Sequence, residues 1–236
     1  MNILELKGVC CGYTRSDVVV DVSLSVPISS VVAIVGPNGH GKTTLLRAIS
    51  GLLKSRSGDI QFDGKSISNH RPEEIARAGL SHVPQGDLLF SQMSVHENLL
   101  LGAYNEDNPR VVTSRLGLVF ELFPKLRERQ AQLTNSLSGG ERRMTSLGRG
   151  FMADAKLMLI DEPSLGLAPV IIDQVYKAIG AIRAAGKSIL LVEENPERAS
   201  SIADYVYLLD RGAIAWKGQP GELRSSRSII SAYLGM

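Results

Sequence analysis

The run Gly36-Pro37-Asn38-Gly39-His40-Gly41-Lys42-Thr43-Thr44 carries the most specific chemistry in the sequence. Glycines at this spacing make a tight turn with few Cβ atoms, so several backbone N–H groups can point inward at one anion. Lys42 adds a full positive charge for outer phosphates, and Thr43 a hydroxyl for a magnesium ion. The run follows the apolar Val31-Val32-Ala33-Ile34-Val35 and precedes Leu45-Leu46-Arg47-Ala48-Ile49. A strand before and a helix after are what the Walker A pattern requires, and the helix N-terminus adds its dipole to the phosphate site.

Two further runs extend this chemistry. Leu157-Met158-Leu159-Ile160 ends in Asp161-Glu162-Pro163. Acids at the carboxyl end of a buried strand stand at the ligand edge of an open α/β sheet. There Asp161 can hold magnesium and Glu162 can orient or deprotonate the attacking water. Leu137-Ser138-Gly139-Gly140-Glu141 offers a second set of free amides at a helix start. A chance match to such a five-residue run arises in on the order of one in a thousand chains of average composition. One chain needs one phosphate cradle, so the second suggests that two chains share each nucleotide.

The elements that must position these residues follow from pattern. Val18, Val20, Val22, Leu24 and Val26 alternate with Val19, Asp21, Ser23 and Ser25, which predicts over much of its length a half-buried antiparallel strand. Asp59–Phe62 reads as a strand entering an Asp63-Gly64 turn, Pro72–Ala78 as a short helix and Leu80–Val83 as a short strand. Ser94-Val95-His96-Glu97 is a capping box, and Asn108-Pro109 opens a helix with Val112, Leu116, Val119, Phe120 and Phe123 at helical spacing. From about residue 87 to 152 the pattern is mainly helical, an insertion into an α/β core. Helix Ala168–Ala185, strand Ser188–Val192, helix Pro196–Ile202 and a strand–turn–strand over Tyr205–Trp216 follow, with a last helix expected near Ser228–Leu234. Strands alternating with helices predict a mostly parallel sheet.

Composition sets the outer limits. The 236 residues suit one domain, and 44% hydrophobic residues suffice for a core. A net charge of +2 gives no argument for nucleic acid. The two cysteines, Cys10 and Cys11, are adjacent and read as strand packing, so a reducing compartment is expected. No secretory signal is visible at the start, and no apolar run approaches the ~20 residues that span a bilayer. His70, His82 and His96 lack metal-ligand spacing.

Taken together, these residues resemble the ATP-binding subunits of ABC transporters, along essentially the whole chain. The resemblance implies a P-loop NTPase core of α/β class in residues 1–236, with an N-terminal antiparallel β subdomain and a helical subdomain inserted at 87–152. It implies ATP and Mg2+, with Gly36–Thr44 as the Walker A, Tyr13 stacking on adenine, and Thr43, Gln85 and Asp161 at the metal. Catalysis falls to Glu162 with Lys42, Gln85 and the switch position. Ser138, Gly139 and Gly140 would act in trans within a dimer, either a homodimer or a heterodimer with a longer paralogous subunit. Transmembrane permease subunits would be direct partners and a solute-binding protein an indirect one, with the chain peripheral on the cytoplasmic face of the inner or plasma membrane. Ala78–Gly86 and Asp161–Pro169 look like the shorter ATPase subunit of branched-chain amino-acid importers. Urea and amide importers share much of this pattern, and a soluble ABC ATPase serving as an assembly scaffold is the alternative from another class.

The chain departs from the family at three places. The switch position, usually histidine and often glutamine in this subgroup, is Glu194. A carboxylate facing the γ-phosphate would repel it, so either hydrolysis is slowed, with Asn195 or a partner compensating, or Glu194 turns to solvent. Arg142-Arg143 stands where glutamines are common and reads as solvated helix charge. His40 replaces a small residue in the Walker A loop, with its side chain expected to point outward.

Overall fold

A computed structural model describes residues 1–86 and 88–225. The helix expected near Ser228–Leu234 lies outside the described residues. Two sheets share the core. The smaller is antiparallel, with strand order β2-β1-β4-β5, formed by β1 (Asn2–Cys11), β2 (Val19–Pro27), β4 (Ser55–Phe62) and β5 (Lys65–Ser66). Asp63 and Gly64 both adopt positive φ, 49° and 75°, the geometry of a tight hairpin turn between β4 and β5.

The larger sheet has six strands in the order β10-β9-β3-β8-β7-β6. They are β3 (Val31–Val35), β6 (Leu80–Val83), β7 (Leu157–Asp161), β8 (Ser188–Glu193), β9 (Tyr205–Asp210) and β10 (Ala213–Gly218). All neighbours are parallel except β9 and β10, which form an antiparallel edge hairpin. β3, β7 and β8 are buried along their whole length, which is why they read as continuous apolar runs.

Their alternate residues feed opposite faces. Val32, Ile34, Leu157, Leu159, Leu190 and Val192 meet the small sheet and helix α1 (Lys42–Ile49). Met158, Ile160, Ile189 and Leu191 meet a second cluster. It is built from α3 (Val95–Gly102), α4 (Pro109–Leu122), α5 (Pro124–Glu128), α6 (Gly139–Met152) and α7 (Pro169–Ala184). The capping box is present at the start of α3, where Ser94 Oγ accepts from Glu97 N–H. Asn108 caps α4. Helix α2 (Pro72–Arg77) packs by Ile75, and α8 (Pro196–Ile202) covers Ala33, Val35, Val206 and Leu208 with Ala199.

One expectation fails locally. Val22, Leu24 and Val26 are buried as the alternation predicts, but upstream Val19 is buried and Val20 exposed. Asp21 adopts a left-handed φ of 51° within an irregular β1–β2 pairing between Val9/Val22 and Cys11/Val19. Such an irregularity shifts the side-chain phase by one residue.

Phe62, 1% exposed, sits between the two sheets in the larger core cluster. Phe62→Ala should cost about 3–5 kcal/mol, measured by denaturant unfolding of the purified chain.

Candidate active site

The carboxyl ends of the parallel strands bring the chemistry together. Because the strand order is β3-β8-β7-β6, four loops from distant parts of the sequence leave the same edge side by side. They begin at Gly36, Glu194, Glu162 and Pro84.

The first loop is closely fitted. A Cβ on Gly36 would lie 2.1 Å from the Leu209 carbonyl oxygen, so only glycine lets the chain leave β3 there. Gly39 and Gly41 adopt φ of 80° and 101°, and Gly41 caps α1. Pro37 is half-buried, Asn38 and Gly39 are exposed, and Thr43 is half-buried beside the buried Thr44. The Lys42 ammonium is buried and donates to the carbonyls of Gly36 (2.8 Å) and Pro37 (3.0 Å).

His40 does not point outward. Its Nδ1 accepts from Arg211 N–H at 3.1 Å and lies 2.9 Å from Asp210 Oδ1. Its carbonyl accepts from Gly212 N–H. The loop is therefore fastened to the β9–β10 turn. Nothing local signals this, because the partner is 171 residues away.

The two acids after β7 differ in role. Glu162 Oε1 is 3.4 Å from Lys42 Nζ, and its Oε2 accepts from Gln85 Nε2 at 2.8 Å. Glu162 holds φ of 44°, an uncommon conformation for a residue with a side chain and one that clusters at functional sites. Asp161 is completely buried, and neither carboxylate oxygen has a hydrogen-bond partner among the described residues. Burial pushes its carboxyl above the usual range, the Glu162 charge adds to this, and Thr43, Arg143 and Lys42 oppose it. A buried carboxylate with free lone pairs beside a threonine hydroxyl is a donor set that suits a hard divalent cation such as Mg2+.

The loop after β8 holds a second polar cluster. Glu193 is buried and accepts from Ser164 N–H (3.3 Å), Ser164 Oγ–H (3.0 Å) and Tyr176 O–H (2.8 Å), while Arg198 donates to Ser164 Oγ (3.0 Å). Burial pushes Glu193 and Tyr176 up, and each carries the other's influence. Glu194 is exposed, yet it lines a cavity of about 400 Å3 together with Pro37, Glu162 and Leu165. Asn195 spends its side-chain oxygen capping α8, accepting from Glu197 and Arg198 N–H.

Two regions stand apart from this cluster. Tyr13 is 54% exposed, its hydroxyl accepting from Arg47 at 2.9 Å, with the guanidinium 5.8 Å from the ring centre. At the start of α6, Ser138 and Gly139 are exposed and Gly140 half-buried. Ser138 and Glu141 cap that helix reciprocally, leaving the first amides without intrahelical partners.

The family model described as ABC transporter matches residues 19–165. The chain belongs to the ABC transporter family. It is 36% identical over 233 residues to the high-affinity branched-chain amino acid transport ATP-binding protein BraG of Pseudomonas aeruginosa, covering 99% of this chain and all of that protein. It is 30% identical to the lipopolysaccharide export system ATP-binding protein LptB of Escherichia coli, covering all of this chain and 98% of that protein. Among solved structures it resembles the ADP conformation of an ATP-binding cassette of an ABC transporter, with 26% identity, TM-score 0.86 and full coverage of both chains.

As an ABC ATPase the chain has features that its motifs did not disclose. Arg143, expected to be solvated, is only 4% exposed and donates to the carbonyls of Pro84, Asp161 and Pro163. Arg142 is half-buried and donates to Leu137 O. The Glu193 cluster was visible in principle, since an acidic pair ending a buried strand repeats the Asp161-Glu162 pattern. Tyr176 and Ser164 carried no such mark.

Asp161 also sets a stability test. The folded cassette holds the Asp161 proton more tightly than the unfolded chain does. Its contribution to folding is therefore complete below the ordinary carboxylate pKa of ~3.9 and is lost as pH rises through the raised folded value. Without divalent cation, Asp161→Asn should raise unfolding free energy at pH 8 by on the order of 1 kcal/mol. The gain should shrink as pH falls toward 4, followed by denaturant unfolding across pH.

Proposed function

We propose that this ABC ATPase powers a membrane importer, with branched-chain amino acids as the substrate class. The observation that carries the mechanism is the meeting of Lys42, Gln85, Asp161 and Glu162 at one sheet edge, with the α6 amides exposed and apart. In this reading the loop amides and Lys42 grip the β- and γ-phosphates, which replace the loop carbonyls and Glu162 as partners of the ammonium. Thr43 and Asp161, with Gln85, would hold Mg2+, which would supply positive charge against the developing phosphate charge. Glu162 orients the attacking water and takes its proton. Gln85, hydrogen-bonded to Glu162, reports the state of the site to its neighbours.

Tyr13 stacks on adenine in this reading, its ring face competing with Arg47. Ser138, Gly139 and Gly140 close on the nucleotide of a second subunit, either another copy or a longer paralogue. Residues 87–152 act as a unit that couples nucleotide state to a permease. A groove of about 1130 Å3 between β6, α3 and α6 exposes Leu88, Phe90, Leu101 and Tyr104, an apolar seat of the kind that binds a partner helix. No described helix is long and apolar enough to cross a membrane. The importer reading makes the subunit peripheral, on the cytoplasmic face, with a solute-binding protein acting one step removed.

The importer reading rests on the BraG likeness. The full-length LptB likeness supports a second reading, energising lipid export. Purification of the chain with its membrane partners, followed by uptake assays in vesicles, separates them. A permease that moves branched-chain amino acids upholds the first; soluble assembly proteins as the sole partners remove both.

Glu162→Gln should lower ATP turnover by about 100-fold or more, as loss of a general base does, and should trap an ATP-bound dimer on gel filtration. Undiminished turnover would refute the assignment. Glu194→His removes a carboxylate from the phosphate side of the cavity and should raise kcat in the assembled complex by about 2- to 10-fold. A steady-state assay showing no change would mean that Glu194 stays in solvent.

A further inference from the structure

The strands β6 and β7 are adjacent and parallel, and their pairing ends at Val83 opposite Ile160. Beyond that point the pairing stops, and the next ladder bond, from Gln85 N–H to Asp161 O, is not made. Pro163, shortly after β7 ends at Asp161, has no N–H to carry the ladder further toward β6. Yet Gln85 and Glu162, which lie just past this boundary, must hold a 2.8 Å hydrogen bond between their side chains. Sheet pairing with β8 still reaches Glu162, whose N–H donates to Val192 O at 2.9 Å, but no ladder bond ties the Gln85 backbone to it.

Arg143 does so. From α6, its Nη1 donates to Pro84 O at 3.0 Å, its Nη2 to Asp161 O at 2.6 Å and its Nε to Pro163 O at 3.3 Å. Pro84 O belongs to the peptide bond that leads into Gln85, and Asp161 O to the one that leads into Glu162. A single planar, buried guanidinium thus holds the peptide immediately before each functional side chain. It also joins both to the helix whose first turn presents Ser138, Gly139 and Gly140.

We propose that Arg143 is a positioning residue for ATP hydrolysis, replacing the missing sheet ladder beyond Val83 and Ile160 and keeping Gln85 and Glu162 in register. This rests on the reading that those two side chains act on ATP. Only a guanidinium supplies donors in a fixed fork wide enough for carbonyls on two loops. Glutamine, common at this position in the family the chain resembles, offers one short amide.

The test compares Arg143→Gln and Arg143→Lys with Met144→Ala, a change to the next buried residue of the same helix, which contributes packing alone. Thermal unfolding, affinity for a fluorescent ATP analogue with Mg2+, kcat, KM and amide hydrogen exchange are measured on the full chain. Arg143→Gln should lower kcat by about tenfold while KM and analogue affinity stay within about twofold, because geometry at the reacting atoms matters more to kcat than to binding. Arg143→Lys should recover part of that loss. Exchange should quicken at residues 85–86 and 162–165 in Arg143→Gln and stay unchanged there in Met144→Ala. Wild-type kcat in Arg143→Gln, or a loss matched by Met144→Ala at equal stability, would overturn the proposal. Glu162→Gln serves as reference: if it too keeps full turnover, the reading of the site fails, whereas an inactive Glu162→Gln beside an active Arg143→Gln removes Arg143 alone.

Discussion

The Lys42 ammonium and the Asp161 and Glu162 carboxylates are nearly or wholly buried at one edge of the large sheet, and buried charges are costly unless neighbours compensate them. Lys42 and Glu162 compensate each other within 3.4 Å, and loop carbonyls and the Gln85 amide complete their coordination. Asp161 is left with free lone pairs. An edge organised this way favours ligands that bring anionic oxygens and a hard cation together, as a nucleotide with its metal does.

The surrounding fold holds that edge in place from several sides. The β9–β10 turn grips the first loop through His40, and the Leu209 carbonyl leaves room only for a glycine at position 36. Glu193, Tyr176 and Ser164 fasten the loop that follows Glu162 to the end of β8. Most of these contacts are side chain to backbone or side chain to side chain, with a backbone bond from Gly212 N–H to His40 O beside them. Buried polar networks of this kind are strongest when every member is satisfied, and they fix a single arrangement.

Helix α6 has two kinds of duty along its length. It starts at the surface, with Ser138 and Gly139 exposed and Gly140 half-buried, capped by Ser138 and Glu141. One turn later it plunges into the molecule, with Arg143, Met144 and Leu147 buried. One helix thus carries both the outward amide end and the inward guanidinium.

Much of this was legible in the residue order. The strand–glycine loop–helix unit, the acidic pair after β7, the capping box at Ser94, the Asp63-Gly64 turn and the buried parallel strands all rest on contacts within a few residues, and such contacts leave periodic marks. Local order also revealed that Ser138–Gly140 begins a helix. What the sequence alone could not determine was anything joined across the sheet. The phase of β2 upstream of Asp21 turned on an irregular pairing with β1. The burial of Arg143, the inward turn of His40 and the network around Glu193 depend on partners brought close by the strand order β10-β9-β3-β8-β7-β6. Residue types record what a side chain can do, but only the tertiary structure decides whether a charge meets water or carbonyl oxygens, since desolvation depends on neighbours distant along the chain.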